Sequence, residues 1–285
     1  MEPIRIDQLP QAAPFYGIKL YEQPAFTMPW HMHAFYELTL ILDGYGTRVV
    51  GDSIDSFYPE DLVLVGPRLP HVWKDDRGES KRLARAISLQ FASSFPGAEL
   101  LAVPQMRCVV ELLEESRRGL RLTGQLKKRT RDKMHSLLRC DGVRQLLLIL
   151  EILADMAESD EYTPMASEGY AEPEATDAQR WTRISGYILK HFRRPLPAQE
   201  LAQVASMHPS SLGRYVKRMT GMTLTQYVNE FRIGYACRLL AMDAKPVVDI
   251  CYECGFQNLS HFNRCFRKSK EASPTAYRKA FSRVA

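Results

Sequence analysis

The sequence predicts an α+β multidomain fold in which a β-barrel with packed helices precedes an all-α domain. Three observations support this prediction. Short runs rich in β-branched and aromatic residues fill residues 15–95, helical periodicity begins near residue 98, and the C-terminal third contains an internal repeat. The chain has 285 residues, which is enough for two ordinary domains.

Turn-forming clusters divide the N-terminal part into short apolar runs. The runs FYELTLIL, GTRVVG and DLVLVG are separated by the clusters LDGYG, GDS and YPED. Short strands at this spacing are typical of an antiparallel barrel or sandwich. We therefore expect residues 1–97 to form a barrel.

Helical spacing of apolar residues begins after Pro96 and continues to residue 158. The stretch GVRQLLLILEILADMAES is apolar on almost every side, so it must be covered from several directions. Either this chain or a second copy provides that cover. We expect residues 98–158 to form a helical dimerisation region of a homodimer, with residues 143–157 as the candidate interface. The acidic residues 159–178 show no period and predict a linker.

Charge is distributed unevenly along the chain. From Arg180 to the end there are 18 Lys/Arg and 6 Asp/Glu, a net charge of +12, whereas residues 1–179 carry 20 basic and 27 acidic side chains, a net charge of −7. This asymmetry favours a polyanion such as nucleic acid as partner of the C-terminal third. The six cysteines are scattered, no apolar run could span a bilayer, and the N-terminus is unlike a secretory signal. We therefore expect free thiols, no membrane partner and a cytoplasmic location.

The basic part contains two copies of one pattern. SSLGRYVKRMTGMTLTQYV at residues 210–228 aligns with SHFNRCFRKSKEASPTAYR at residues 260–278, an offset of 50. Each copy predicts a helix, a short turn and a second helix, and a long helix from about Leu224 to Met242 joins the copies. Gly255 fits the turn of the second copy, and Asn258 fits the N-cap of its second helix.

Paired helix-turn-helix units place the second helix of each unit in a major groove of DNA. Polar groups on such a helix contact base edges, and basic groups one turn further on contact phosphates. The outward residues of both second helices are therefore the predicted DNA-binding residues: Ser210, Ser211, Arg214, Lys217, Arg218, Ser260, His261, Asn263, Arg264, Arg267 and Lys268.

The second copy resembles the C-terminal signature of the AraC/XylS family of transcription regulators. The stretch VVDICYECGFQNLSHFNRCFRKSKEASPTAYRKAF contains I-x-x-x-x-G-F, S-x-F-x-R-x-F and S-P-x-x-Y-R in that order. The resemblance covers about residues 180–283. It implies an AraC-type double helix-turn-helix domain at residues 179–285 that binds double-stranded promoter DNA and acts with RNA polymerase. Gly213 and His208 depart from the family pattern, in which a side chain often contacts bases at the first position and a serine caps the helix at the second.

The N-terminal part contains the motif H-x-H-x-x-x-E at His31, His33 and Glu37, and His71 follows a Gly-Pro turn. On one continuous strand the three motif side chains share a face, because side chains alternate. Together with His71 they resemble the two motifs of cupins, which implies a cupin-like barrel. In metal cupins the three histidines and the glutamate bind one ion, and this donor set suits Fe, Mn, Ni or Zn.

In sensor domains of the AraC type the same motif implies a small-molecule pocket instead. We predict that the protein is not an enzyme and has no resident cofactor, and that its effector is a small molecule such as a sugar or a related metabolite. The predicted ligand-binding residues are His31, His33, Glu37, His71, Trp30 and Trp73. The competing hypothesis is a metal-dependent cupin enzyme or metal sensor fused to a DNA-binding domain, with the same histidines and Glu37 as metal ligands. A third is a DNA-binding protein with an inert barrel.

Overall fold

The computed structural model describes residues 4–6, 15–26, 31–75, 83–168, 170, 175–220, 222–242 and 245–281. The strands are β1 (Ile4–Ile6), β2 (Tyr16–Gln23), β3 (His31–His33), β4 (Tyr36–Asp43), β5 (Gly46–Val50), β6 (Ser53–Phe57), β7 (Leu62–Val65), β8 (His71–Asp75), β9 (Ala84–Phe91), β10 (Leu120–Leu122) and β11 (Tyr162–Pro164). The helices are α1 (Ala98–Leu101), α2 (Arg107–Glu115), α3 (Gly124–Leu137), α4 (Gly142–Ala157), α5 (Ala175–His191), α6 (Ala198–Val204), α7 (Pro209–Thr220), α8 (Leu224–Met242), α9 (Val247–Glu253), α10 (Leu259–Lys270) and α11 (Pro274–Phe281).

Two β-sheets face each other in the N-terminal half. The first has five strands in the order β1-β3-β8-β5-β6, and the second has six strands in the order β11-β10-β7-β4-β9-β2. A closed barrel requires every strand to be paired on both edges. Among the described strands the two sheets share no hydrogen-bonded pair, so the expectation of a closed barrel is wrong for this part of the chain.

Side-chain alternation assigns the two faces of each sheet to different cores. In β7, Leu64 packs with α2, α3 and α4, whereas Val65 points into the space between the sheets. In β8, Val72 packs with the C-terminal helices, whereas Trp73 points into the same central space. The protein is therefore built in four layers, with helices on both outer sides of the paired sheets.

The H-x-H-x-x-x-E motif does not lie on one continuous strand, and that expectation is wrong. β3 ends at His33 in the five-stranded sheet, and β4 begins at Tyr36 in the six-stranded sheet. A bend at residues 34–35 carries the chain from one sheet to the other. Glu37 therefore faces the histidines across the central space instead of following them along one strand.

Two short strands lie where helix and linker were expected. β10 pairs with β7 and with β11, so both extend the edge of the six-stranded sheet. Strands of three residues are too short to show an alternating pattern in the sequence. They form because the exposed edge of the six-stranded sheet offers them hydrogen-bonding partners. The segment 159–178, expected to be a linker, therefore contains β11, and α5 begins at Ala175.

The C-terminal helices form two helix-turn-helix units, α6 with α7 and α9 with α10. The predicted long helix between the copies is confirmed as α8, and Asn258 caps α10 by accepting a 2.7 Å hydrogen bond from the backbone N–H of His261. Gly255 has a φ of +88°, and a Cβ there would lie 2.6 Å from the carbonyl oxygen of Arg193, so only glycine fits this turn. None of the described helices combines the length and the apolarity that crossing a bilayer requires.

Candidate DNA-binding surface and sensor site

The first candidate recognition helix, α7, is amphipathic. Leu212, Tyr215 and Val216 are buried against the other C-terminal helices. The predicted DNA-binding residues lie on the other side, where Ser210, Arg214, Lys217 and Arg218 are exposed and Ser211 is half-buried. The surface is thus polar and basic, as phosphate and base contacts require.

The two departures from the family pattern lie at the start of this helix. The Nδ1 atom of His208 lies 2.8 Å from Oγ of Ser210 and 3.4 Å from its backbone nitrogen, so the imidazole takes the capping position. A Cβ added to Gly213 would meet no atom within 4 Å. The position is open surface, and packing within the protein does not explain the glycine.

The second candidate recognition helix, α10, packs through Phe262 and Phe266. Its predicted contact residues lie on the opposite side: Ser260, Arg264, Arg267 and Lys268 are exposed, and His261 and Asn263 are half-buried. The His261 ring packs edge-on against Phe256 at 5.6 Å between centroids, which holds it at the edge of the recognition surface. Contact of these residues with DNA stays a prediction.

Four buried side chains of the sensor motif converge in the central space between the sheets. His31 and His33 come from β3, His71 comes from β8, and Glu37 comes from β4. One ligand atom from each lies within 4.8 Å of the others. His31 and His71 are direct cross-strand partners, with ring centroids 4.2 Å apart.

Backbone carbonyls fix the orientation of two of these imidazoles. Nδ1 of His33 lies 2.8 Å from the carbonyl oxygen of Phe35, and Nδ1 of His71 lies 2.8 Å from that of Leu69. A carbonyl only accepts, so both Nδ1 atoms must carry the proton and donate it. Both Nε2 atoms therefore face Glu37 Oε2, at 2.9 Å from His33 and 3.9 Å from His71. Nε2 of His71 is buried without a hydrogen-bond partner among the described residues.

Three further polar side chains hold the carboxylate of Glu37. Thr39 and Ser88 donate to Oε1 at 2.8 and 2.9 Å, and Gln90 donates to Oε2 at 3.2 Å. Sequence reasoning missed these residues. The signal was present: Thr39 follows Glu37 by two positions, and ISLQF in β9 alternates polar with apolar residues. The pairing of Glu37 with Gln90 and of Thr39 with Ser88 completes the set.

The charges in this cluster are strongly coupled. Burial alone would raise the pKa of Glu37, but the hydrogen bond and the positive charge of His33, the leading opposing causes, outweigh burial and hold the pKa well below its usual range. Burial, followed by the neighbouring His31 and His33, lowers the pKa of His71 well below its usual value. Glu37 is therefore an anion, and His71 presents an uncharged Nε2 lone pair to it.

A small cavity adjoins the cluster. Its volume is about 60 Å³, and His31, Glu37 and Trp73 line it together with Tyr21 and Phe26. Trp73, whose role in ligand binding stays a prediction, lines this cavity with its ring centroid 5.7 Å from that of His71. Trp30, the remaining predicted ligand residue, lies outside the described residues.

The opposite face of the same sheet packs directly on the C-terminal helices. Lys74 of β8 donates to the carbonyl oxygen of Leu189 in the last turn of α5, at 2.9 Å. Ser56 of β6 donates to the carbonyl oxygen of Gly234 in α8, at 2.7 Å. Val49, Ile54 and Val72 join the apolar core of these helices. β8 thus carries residues of the buried histidine and glutamate cluster on one face and contacts to the helix-turn-helix region on the other.

Asp55 of β6 also forms an ion pair with Lys270, the last residue of α10, at 2.9 Å. Burial would raise the pKa of Asp55, but the charges of Lys270 and Arg48 outweigh it and lower the pKa. Burial would lower the pKa of Lys270, and Asp55 reverses that shift to a raised value. Helix α10 is therefore tied to the five-stranded sheet by a charged hydrogen bond.

The core of the C-terminal helices contains Cys251 and Cys254, which are fully buried. All six cysteines are free thiols, as predicted. Burial raises the pKa of Cys254 well above its usual value, so the thiol stays protonated and packs as a small apolar side chain.

Known proteins that are similar to this chain are transcription regulators with helix-turn-helix domains. A family model described as a helix-turn-helix domain matches residues 201–280. The chain is 23% identical over 282 residues to the HTH-type transcriptional activator RhaS of Pectobacterium carotovorum subsp. carotovorum (strain PC1), covering 91% of each protein. It is 24% identical over 273 residues to the HTH-type transcriptional activator RhaR of the same strain, covering 93% of this chain and 90% of that protein.

A solved structure of a transcriptional regulator with an AraC-type DNA-binding domain from Chromobacterium violaceum is also similar. It is 23% identical, covers 39% of this chain and 100% of its own, and gives a TM-score of 0.36. The relatives that align over nine-tenths of the chain, the helix-turn-helix match and the two helix-turn-helix units joined by α8 agree with one another. In sequence and in the arrangement of its C-terminal helices, the chain resembles transcription regulators of the AraC family.

Proposed function

We propose that this protein is a one-component regulator that binds promoter DNA through α7 and α10 and adjusts that binding to an effector sensed between its two sheets. The observation that carries the proposal is the double role of β8. His71 belongs to the buried cluster and Trp73 lines the adjoining cavity, whereas Val72 and Lys74 contact the C-terminal helices. An effector that displaces β8 therefore acts on both sites, because it binds one arrangement of the strand better than the other.

DNA binding is expected from the exposed polar and basic faces of both recognition helices. Arg214 and Arg264 occupy matching positions in the two units and are both exposed. Guanidinium groups suit bidentate contact with guanine in the major groove. Since the relatives RhaS and RhaR carry the name transcriptional activator, activation through RNA polymerase is part of the proposal. Binding to chromosomal DNA implies a cytoplasmic location.

A divalent transition-metal ion is the second candidate effector, and the unsatisfied Nε2 atom of His71 favours it. Metal-bound histidines usually donate their other N–H to a carbonyl or carboxylate, as His33 and His71 do here. Two atoms each about 2.1 Å from one ion lie at most about 4.2 Å apart. The four ligand atoms lie within 4.8 Å of one another, so they would have to move closer together to bind one ion.

The residues present therefore fit such an ion. The three imidazoles and Glu37 would hold it, and the ion would replace the proton between His33 and Glu37. Thr39 and Ser88 would keep orienting the carboxylate. The central cavity of about 60 Å³ also suits an ion better than a sugar-sized effector, since sites for drug-sized ligands measure roughly 300–1,000 Å³.

A homodimer is proposed through α4. Val143 and Leu147 lie one turn apart on the outer side of this helix and are 72% and 53% exposed. Ile149, Ile152 and Leu153 face inward. Large apolar side chains exposed together on one helix face favour association with a second copy. A dimer would let an operator be contacted in two half-sites.

Selection from a random duplex library tests DNA recognition. Wild-type protein should enrich one sequence motif, and its affinity for that motif should exceed its affinity for scrambled duplex by at least about 10³-fold. A double variant Arg214→Ala, Arg264→Ala should lose the preference and retain the fold by circular dichroism. Equal affinity of the wild type for all duplexes would refute sequence-specific regulation.

Metal titration tests the second candidate. Zn²⁺, Mn²⁺, Fe²⁺ and Ni²⁺ should be compared for their effect on Tm and for the bound ion retained after dialysis. Retention of one ion by wild type, lost in His71→Ala and kept in His135→Ala, would support the site, since His135 lies on α3 away from the cluster. If no ion raises Tm or remains bound, the metal hypothesis fails, and the DNA-binding proposal is unaffected.

A further inference from the structure

A second and much larger cleft lies outside the central space, at the end of the sandwich where β4 begins. Its volume is about 630 Å³, roughly ten times that of the central cavity. This volume lies within the range of roughly 300–1,000 Å³ that is usual for small-molecule sites. Tyr36 and Leu69 contribute its apolar surface, and Arg68, Arg117 and Arg118 line it as well.

The cleft carries a net positive charge. Three guanidinium groups line it, and Glu114 is the one carboxylate among the described lining residues. Glu114 pairs with Arg117 at 2.9 Å, and Nε of Arg118 donates to the carbonyl oxygen of Ala166 at 2.9 Å. Each guanidinium has five N–H donors, so these contacts leave several donors on Arg117 and Arg118 for a bound anion.

Arg68 has an unusual backbone conformation at this site. Its φ is +59°, in the left-handed region that residues other than glycine seldom adopt. Its backbone N–H donates to the carbonyl oxygen of His33 at 2.6 Å. Unfavourable backbone conformations of this kind concentrate at functional sites, where the surrounding structure maintains them.

The turn that contains Arg68 also holds the sensor cluster. Arg68 contacts the backbone of His33, and the next residue, Leu69, accepts the Nδ1–H of His71. A ligand that pulls on the Arg68 side chain therefore acts on two of the three clustered imidazoles. From His71 the displacement passes along β8 to Lys74 and the C-terminal helices.

We propose that this cleft binds an anionic metabolite, a carboxylate or a phosphate, through Arg68 and Arg117. The inference rests on the proposed function, to which it adds a second effector site, outside the central space, and the chemical class of its ligand. The planar guanidinium groups pair with two oxygens of the anion at once. Tyr36 forms the wall beside Arg117 and Glu114; burial raises the pKa of its hydroxyl, which therefore stays protonated. Anion binding moves the Arg68 turn and so links effector to DNA affinity.

Calorimetric titration with citrate and, separately, with inorganic phosphate tests the proposal and distinguishes the two anion classes. Wild-type protein should bind one of them, and Arg117→Gln should weaken that binding about tenfold or more, as expected for a lost charge-assisted hydrogen bond. Arg68→Gly should weaken it similarly while accepting the positive φ. Glu114→Gln should strengthen it, because the change removes a negative charge and releases Arg117.

The matched control is Arg107→Gln, which removes an exposed arginine paired with Glu111 at the opposite end of α2. It should leave anion affinity within about twofold of wild type. The proposal is overturned if wild type binds neither anion, or if Arg117→Gln and Arg107→Gln behave alike. If Arg68→Gly does not fold, the opposite changes in anion affinity expected for Arg117→Gln and Glu114→Gln still test the proposal. A negative result with intact DNA binding would refute the anion site alone.

Discussion

The ion pair between Asp55 and Lys270 should contribute measurably to the packing of α10 on the five-stranded sheet. The two side chains are 33% and 17% exposed, and their charged atoms lie 2.9 Å apart. Surface pairs contribute roughly 0–1 kcal/mol, and hydrogen bonds between charged groups up to about 3 kcal/mol. For this intermediate burial we expect a coupling energy of about 1–2 kcal/mol.

A double-mutant cycle measures this coupling. The variants Asp55→Asn, Lys270→Met and their combination are compared with wild type by urea unfolding, because the cycle isolates the pairwise contribution. The matched control is the pair of Glu22 and Arg85, which is 46% exposed on both sides. A coupling energy for Asp55 and Lys270 no larger than that of the control pair would refute the reasoning.

The same pair predicts the pH dependence of the coupling. The pKa of Asp55 is lowered in the folded state, so its contribution is present above the unfolded value of about 3.9 and is lost as pH falls through the folded value. The pKa of Lys270 is raised, so its contribution is present below the unfolded value of about 10.4 and is lost as pH rises through the folded value. The coupling should therefore be constant from about pH 5 to about pH 9.

Three further outcomes are expected. Arg264→Ala should weaken binding to the selected operator by roughly 1–3 kcal/mol with little effect on scrambled duplex, whereas Arg267→Ala should weaken binding to both duplexes equally. Competition binding with the two duplexes measures the difference. Equal weakening on both duplexes for Arg264→Ala would mean that Arg264 contacts phosphate. Leu147→Asp should shift the protein toward monomer in analytical ultracentrifugation. Arg144→Gln, at an exposed position of the same helix, is the control. An unchanged sedimentation coefficient for Leu147→Asp would exclude this face of α4 as the interface. Gly213→Ala should raise the free energy of unfolding by up to about 1 kcal/mol, because the added Cβ meets open space within a helix; a loss of stability in urea titration would contradict this.

Local pattern was informative where a segment's structure depends on neighbours close in sequence. The repeat predicted both helix-turn-helix units because apolar spacing, the glycine at 255 and the asparagine cap at 258 act within a few residues. The sensor motif predicted that His31, His33, Glu37 and His71 would meet, and they do. The expectation that one continuous strand carries the motif was wrong, because the bend at residues 34–35 depends on how the two sheets face each other.

The sequence by itself predicted the resemblance to AraC-type regulators, the two helix-turn-helix units and the polar residues of the buried cluster, since each follows from short-range spacing and residue type. Only the tertiary structure decided which residues complete those sites. Thr39 and Ser88 reach Glu37 through strand register, Asp55 meets Lys270 across 215 positions, and three arginines from two separate segments share one cleft. Such contacts arise from the packing of layers, and packing brings together residues whose positions in the chain have no common pattern.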